Sequence, residues 1–219
     1  MEIETLRINY WKGINRELNE ILTNIKGIVF LIHNSAEAED IFNFLTRLRP
    51  RDHTNILYVS LVRSYYHIKL SIENRSLQNK RLFILDCVSS MISDVDETGT
   101  FETKNKIQAI FRRPPTNFEK LRELIMDALT SLRRMGVMVD IIVIDSISQL
   151  INLTFPTEHQ LRGFYRFLEE VRRDILGIFH DTSIILYDDK VGYIKHLPIV
   201  HSDHVMKMEV IKEKPTWRG

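Results

Sequence analysis

Short runs of aliphatic and β-branched residues recur along the chain with amphipathic segments between them, and this alternation restricts the fold more than any other feature. The runs GIVFLI (Gly27 to Ile32), NILYVSL (Asn55 to Leu61), RLFILDC (Arg81 to Cys87), VMVDIIVID (Val137 to Asp145) and TSIILY (Thr182 to Tyr187) are apolar over most of their length, not only at alternate positions. Strands of that kind are covered on both faces, as in a parallel sheet with helices packed above and below. The expected fold is therefore α/β, a three-layer sandwich around a mainly parallel central sheet of six or seven strands. At 219 residues the chain suits one such core with at most a small appendage.

The intervening segments carry helix signals. Trp11, Ile14, Leu18, Ile21 and Leu22 fall at helical spacing and predict a helix over about Trp11 to Asn24, within an N-terminal helical extension, residues 1–26. Ser35 is placed to cap a helix reaching Leu48 before Arg49-Pro50, and a helix after the second strand runs to about Glu73. From Asn117 the residues Leu121, Leu124, Ile125, Ala128, Leu129 and Leu132 line one face, closing at Gly136. Thr157 is placed to cap a second long helix to about Leu176. The main domain spans 27–211, with 88–118 read as an irregular insertion, because SDVDETGTF and RRPPTNF have the weakest periodicity in the chain. The turn chemistry of DDKVG suggests a C-terminal antiparallel hairpin into Tyr193 to Ile199. A last strand covers about His204 to Ile211, and residues 212–219 form a tail.

Composition removes several function classes. Thirty Lys plus Arg stand against 29 Asp plus Glu, so net charge gives no argument for nucleic acid or an anionic membrane. No apolar run approaches the ~20 residues that span a bilayer, and MEIETLRINYW has no secretory pattern. The single Cys87 has no partner within the chain, fits a reducing cytoplasm, and reads as a small buried hydrophobe. A cytoplasmic protein without a membrane partner is the expectation.

The first strand and the one ending in Asp145 and Ser146 invite comparison with a phosphate-binding chain. Such a chain needs GxxxxGK[ST] after its first strand: glycines so that backbone N–H groups wrap the phosphates, a lysine for the β/γ charge, and a hydroxyl for magnesium. Here the strand is followed by HNSAEAEDIFNFL. Without gaps, Asn34 takes the first glycine position, Glu39 the second, Asp40 the lysine position and Ile41 the hydroxyl position. No glycine occurs between Gly27 and Gly99, so no shift of register restores the loop. Each carboxylate within ~4 Å of a phosphate would cost on the order of a kcal/mol or more.

The order of strands, IIVIDSISQLI around Asp145, LYVSL in the second strand and VHSDHVMKMEV near the end together resemble the RecA superfamily, especially its archaeal KaiC-like branch. The resemblance covers about Gly27 to Ile211. It implies a RecA-like sandwich in which Asp145 and Ser146 stand as a Walker B remnant and Asn34, Glu39, Asp40 and Ile41 as a degenerate Walker A loop. After the second strand the family places an acidic pair that activates water. Here those positions are Val62 and Arg63. The resemblance thus implies a non-catalytic pseudo-ATPase, a platform for a protein or peptide, for itself or for an active homologue, or a regulatory subunit. No cofactor is expected beyond weak Mg-ATP, and the alternative is an ATP-binding or ATP-hydrolysing subunit with an unconventional or composite site, with a DNA-binding paralogue behind it. Asp145-Ser146 also has a plain reading, since Asp followed by Ser makes a good strand end and helix start.

Other constellations are weaker. His201, Ser202, Asp203 and His204, with His196 nearby, have metal-binding residue types, but i,i+3 spacing at a strand entry does not guarantee the tetrahedral convergence that zinc needs. No GxSxG elbow accompanies any serine. Arg133, Arg134, Arg172 and Arg173 fall near helix carboxyl ends, where cations suit the macrodipole. Phe111, Arg112, Arg113, Pro114, Pro115 and Phe118 form a candidate partner-binding loop, read as an exposed aromatic and arginine surface.

Overall fold

The structure is a computed structural model and describes residues 20, 23–33, 38–48, 53–73, 80–92, 100–102, 107–150, 157–179, 182–188 and 202–208. Eight strands form one sheet: β1 (Gly27–His33), β2 (Thr54–Ser60), β3 (Lys80–Asp86), β4 (Thr100–Glu102), β5 (Ile107–Phe111), β6 (Ile141–Asp145), β7 (Thr182–Asp188) and β8 (His204–Met208). Their order across the sheet is β4-β5-β3-β2-β6-β7-β1-β8. Every neighbouring pair is parallel except β4 and β5, where Phe101 faces Ala109 in an antiparallel edge hairpin.

Two helical layers cover the sheet. Helices α1 (Ala38–Arg47) and α2 (Tyr65–Glu73) lie on one face, where Ile41, Phe42, Leu45, Ile68 and Ile72 join Val29, Leu31, Ile56, Tyr58, Ile84 and Val143. A single-turn helix α3 (Ser89–Ile92) follows β3. Helices α4 (Phe118–Arg134) and α5 (Glu158–Glu170) cover the other face, where Leu121, Ile125, Leu129, Phe164 and Phe167 meet Ile28, Leu57, Phe83, Ile142 and Ile185. Adjacent strand residues thus alternate between two cores, which is why the strands read as continuous apolar runs. The α4 start follows from Asn117, whose side chain accepts from Lys120 N–H at 2.8 Å. Thr157 and Gln160 form a reciprocal capping box at α5. That helix ends in a π-helical turn, Val171–Ile175, which keeps Val171 and Ile175 buried.

Topology then selects one place on the sheet. The connection leaving β2 runs through α2 on one face, and the connection leaving β6 runs through α5 on the opposite face. Since β2 and β6 are neighbours, their carboxyl ends flank a switch point, where open parallel sheets present a crevice.

The structure departs from the sequence expectation at two places. Segment 88–118 is no irregular insertion: it supplies α3, β4 and β5, and β5 extends the parallel sheet beside β3. The polar KNK before it and the two prolines after it obscure this short strand. The strand expected from Val137 starts only at Ile141, because Asp140 bonds sideways to β2: Asn55 N–H donates to Asp140 Oδ2 at 2.7 Å and Asp140 N–H to Asn55 O at 2.9 Å. The last described strand, β8, runs parallel to β1 with His204 beside Val29. The hairpin expected over Tyr193 to Ile199 lies outside the described residues, as do the tail and most of the expected first helix.

Candidate functional site

Asp145 ends β6 at the switch point, level with Ser60 at the end of β2. The two-residue period puts Asp145 on the same face as Tyr58, beneath α1 and α2. A buried carboxylate must find donors. Tyr58 donates its hydroxyl to Asp145 Oδ2, and Arg63 Nη1 donates to the same oxygen as a salt bridge. The Asp145 side chain is fully buried and that of Arg63 only 10% exposed. Asp145 Oδ1 has no hydrogen-bond partner among the described residues.

The turn after β2 brings Arg63 back over the strand ends. Ser60 Oγ donates to Arg63 O at 2.6 Å and accepts from Arg63 N–H at 3.2 Å. Leu61 N–H donates to Asp145 O at 2.6 Å, which ties the turn to β6. The Tyr58 ring packs on Phe42 of α1 with centroids 5.2 Å apart. Burial, and next the charge of Asp145, raise the Tyr58 phenol well above its ordinary pKa, so it stays a donor. Burial opposes the charge on Arg63, but Asp145 outweighs it and leaves the guanidinium pKa raised.

A carboxylate held this way is neutralised by its own chain. Breaking a buried pair from one side typically costs about 3–5 kcal/mol, because a charge is left uncompensated. The residues do not fit the magnesium that the family resemblance implies, since a guanidinium already stands against Asp145 Oδ2. They do not fit a phosphate either. Ile41, where the resemblance would place a metal-binding hydroxyl, is fully buried in the core on the α1 face. Glu39 and Asp40 lie in the first turn of α1, and Asn34 lies outside the described residues. Ser146 supports the plain reading of its position. Its hydroxyl accepts from Ser148 N–H at 3.4 Å, capping the 3₁₀ turn Ile147–Gln149, and donates to Leu186 O at 3.3 Å. The Asp145–Ser146 peptide is cis.

The candidate loop presents less than expected. Phe111, Pro115 and Phe118 are buried, with Phe118 packed against Phe164 and Phe167, so Arg113 and Pro114 are what it exposes. Arg112 turns inward, its Nη1 donating to Phe111 O at 2.8 Å. Behind the loop a cavity of about 370 Å³ opens between the amino ends of α4 and α5, lined by Asn117, Phe118, Arg122, Leu150, His159 and Gly163 among others. Three of the four arginines at the helix carboxyl ends have intramolecular roles. Arg133 lies over the Phe179 ring, Arg172 pairs with Asp203, and Arg173 pairs with Asp174. Asp203 acts within the sheet, accepting from Ile28 N–H at 2.7 Å. No cluster of metal-ligating residues occurs among the described residues.

Tyr58 is the site residue that sequence reasoning missed. Its only signal was a phenol within an aliphatic strand, where a buried hydroxyl requires a partner. Comparison of the chain with protein-family models and with curated proteins gives no match. No described helix is long and apolar enough to cross a membrane.

Proposed function

We propose that this chain is a RecA/KaiC-like protein without catalytic activity, a pseudo-ATPase whose sheet serves as a platform for a protein or peptide partner or as a regulatory subunit. One observation carries the reading: the Arg63–Asp145 ion pair at the switch point, where a nucleotide-hydrolysing relative needs a carboxylate open to magnesium and a second carboxylate to activate water. The chain supplies a cation where the activating carboxylate would stand, and an aliphatic core residue, Ile41, where the metal-binding hydroxyl would stand. Next to this closed site, α2 exposes Tyr66 (68%) and Leu70 (49%) one turn apart, an apolar stripe of the sort a partner covers.

The alternative reading, an ATP-binding or ATP-hydrolysing subunit with an unconventional or composite site, keeps one point in its favour, the Asp145 Oδ1 that has no partner among the described residues. Calorimetric titration with ATP and ADP, with and without magnesium at moderate salt, separates the two. The platform reading expects no heat of binding up to millimolar nucleotide. Micromolar, magnesium-dependent binding would overturn it and move the ATP-binding reading into its place.

A further inference from the structure

We propose that Arg63 is a built-in counter-ion standing in for a divalent cation, so that its removal turns Asp145 into a divalent-cation site. The inference rests on the non-catalytic reading of the same site. The geometry has three parts. Asp145 is fully buried at the switch point, and one of its oxygens, Oδ2, takes both of its side-chain hydrogen bonds, from Tyr58 and Arg63. The other oxygen, Oδ1, is buried with no hydrogen-bond partner among the described residues. The guanidinium reaches Asp145 from a turn held independently of it, through Ser60 Oγ and through Leu61 N–H on Asp145 O. Truncating Arg63 therefore leaves the turn and both carboxylate oxygens in place, with a buried negative charge that has lost its cation. The oxygens beside the gap are those of Asp145 and the Tyr58 hydroxyl, hard ligands of the type that Mg²⁺ and Mn²⁺ prefer. In the native chain the guanidinium repels a dication from the same spot.

The test compares wild type, Arg63→Ala and the double variant Arg63→Ala/Asp145→Asn, reading bound Mn²⁺ from the loss of the free-ion electron paramagnetic resonance signal. The expected result is one Mn²⁺ per chain in Arg63→Ala, at least about tenfold tighter than in wild type, and loss of that binding in the double variant. Should Arg63→Ala fail to fold alone, circular dichroism during Mn²⁺ titration gives the same answer: the cation restores its helical signal and leaves the double variant unchanged. Three outcomes overturn the proposal: a folded Arg63→Ala that binds no more Mn²⁺ than wild type, an unfolded one that Mn²⁺ does not restore, or wild type that already binds Mn²⁺ through Asp145. Nucleotide enters none of these measurements, so failure here is distinct from failure of the platform reading, which the wild-type ATP titration decides.

Discussion

Asp203 occupies the space that a side chain on Gly27 would need: an ideal Cβ at position 27 would lie 2.8 Å from Asp203 Cγ and closer still to its Oδ2. Gly27 also has φ +86°, a left-handed conformation that costs an L-residue roughly 1–2 kcal/mol. The Asp203 carboxylate takes Ile28 N–H at 2.7 Å and Arg172 Nη1 at 3.0 Å, and Asp203 N–H returns a bond to Ile28 O at 2.8 Å. Glycine lets the aspartate clip β8 onto β1.

Gly27→Ala should therefore lose about 2–4 kcal/mol of stability, the left-handed cost plus one or two displaced hydrogen bonds. Urea denaturation would show it as a lower midpoint at unchanged slope. A midpoint equal to that of wild type would refute the clip.

Asp203 should also make stability sensitive to acid. Burial works to raise its pKa, but the bonds from Arg172 and Ile28 N–H prevail, and the folded value lies below the ordinary one. A depressed carboxylate contributes stability that is present above its unfolded pKa of about 3.9 and is lost as pH falls through the folded value. Asp203→Asn should flatten the acid limb of the thermal midpoint against pH in that range and leave the neutral region with a pH-independent offset. An acid limb identical in the two proteins would contradict this.

Tyr58 shifts in the opposite sense. A phenol raised above its unfolded pKa of about 10 contributes stability that is full below that value and is lost as pH rises through the folded one. In an alkaline titration followed by phenolate absorbance, one tyrosine of the native protein should ionise only on unfolding, and Tyr58→Phe should lack that late step. Tyr58→Phe also removes a donor from a buried carboxylate, with an expected cost of about 1.5–3 kcal/mol. If every tyrosine titrates early in the folded wild type, the hydrogen bond to Asp145 is not formed in solution.

Cys87 should be silent toward thiol reagents. Burial, and next the charge of Asp86, push its thiol up to about 12. At about pH 8 the native protein should release no chromophore from a disulfide reagent, and the unfolded chain should release one equivalent, since an unperturbed thiol ionises near 8.5. Rapid native reaction would show that the end of β3 opens.

The sheet was legible because strands covered on both faces leave an apolar signature that needs no partner to be recognised, as in GIVFLI and DIIVID. Helix starts were legible wherever the cap was local: Thr157 and Gln160 are three residues apart and bond to each other. What escaped depends on distance along the chain. Arg63 and Asp145 each drew attention alone, but their pairing requires β2 and β6 to be neighbours, which only the sheet order decides. Gly27 and Asp203 meet across a sequence separation in which no periodicity links them. In β5 a strand of five residues was hidden because its flanks are polar or proline. The burial of Phe111 and Phe118 follows from that same strand and from α4, so a segment read as a surface loop turned its aromatic side chains inward.

The place of β1 between β7 and β8 sets an order of events during synthesis. Both neighbours of Gly27–His33 come from residues 182–188 and 204–208, so a ribosome that has made the first half of the chain has produced an apolar strand with no partner on either side. Such long-range parallel pairing is slow, and unpaired strand edges are what chaperones shield. The nascent chain must keep its first strand out of wrong company until its last described strand emerges.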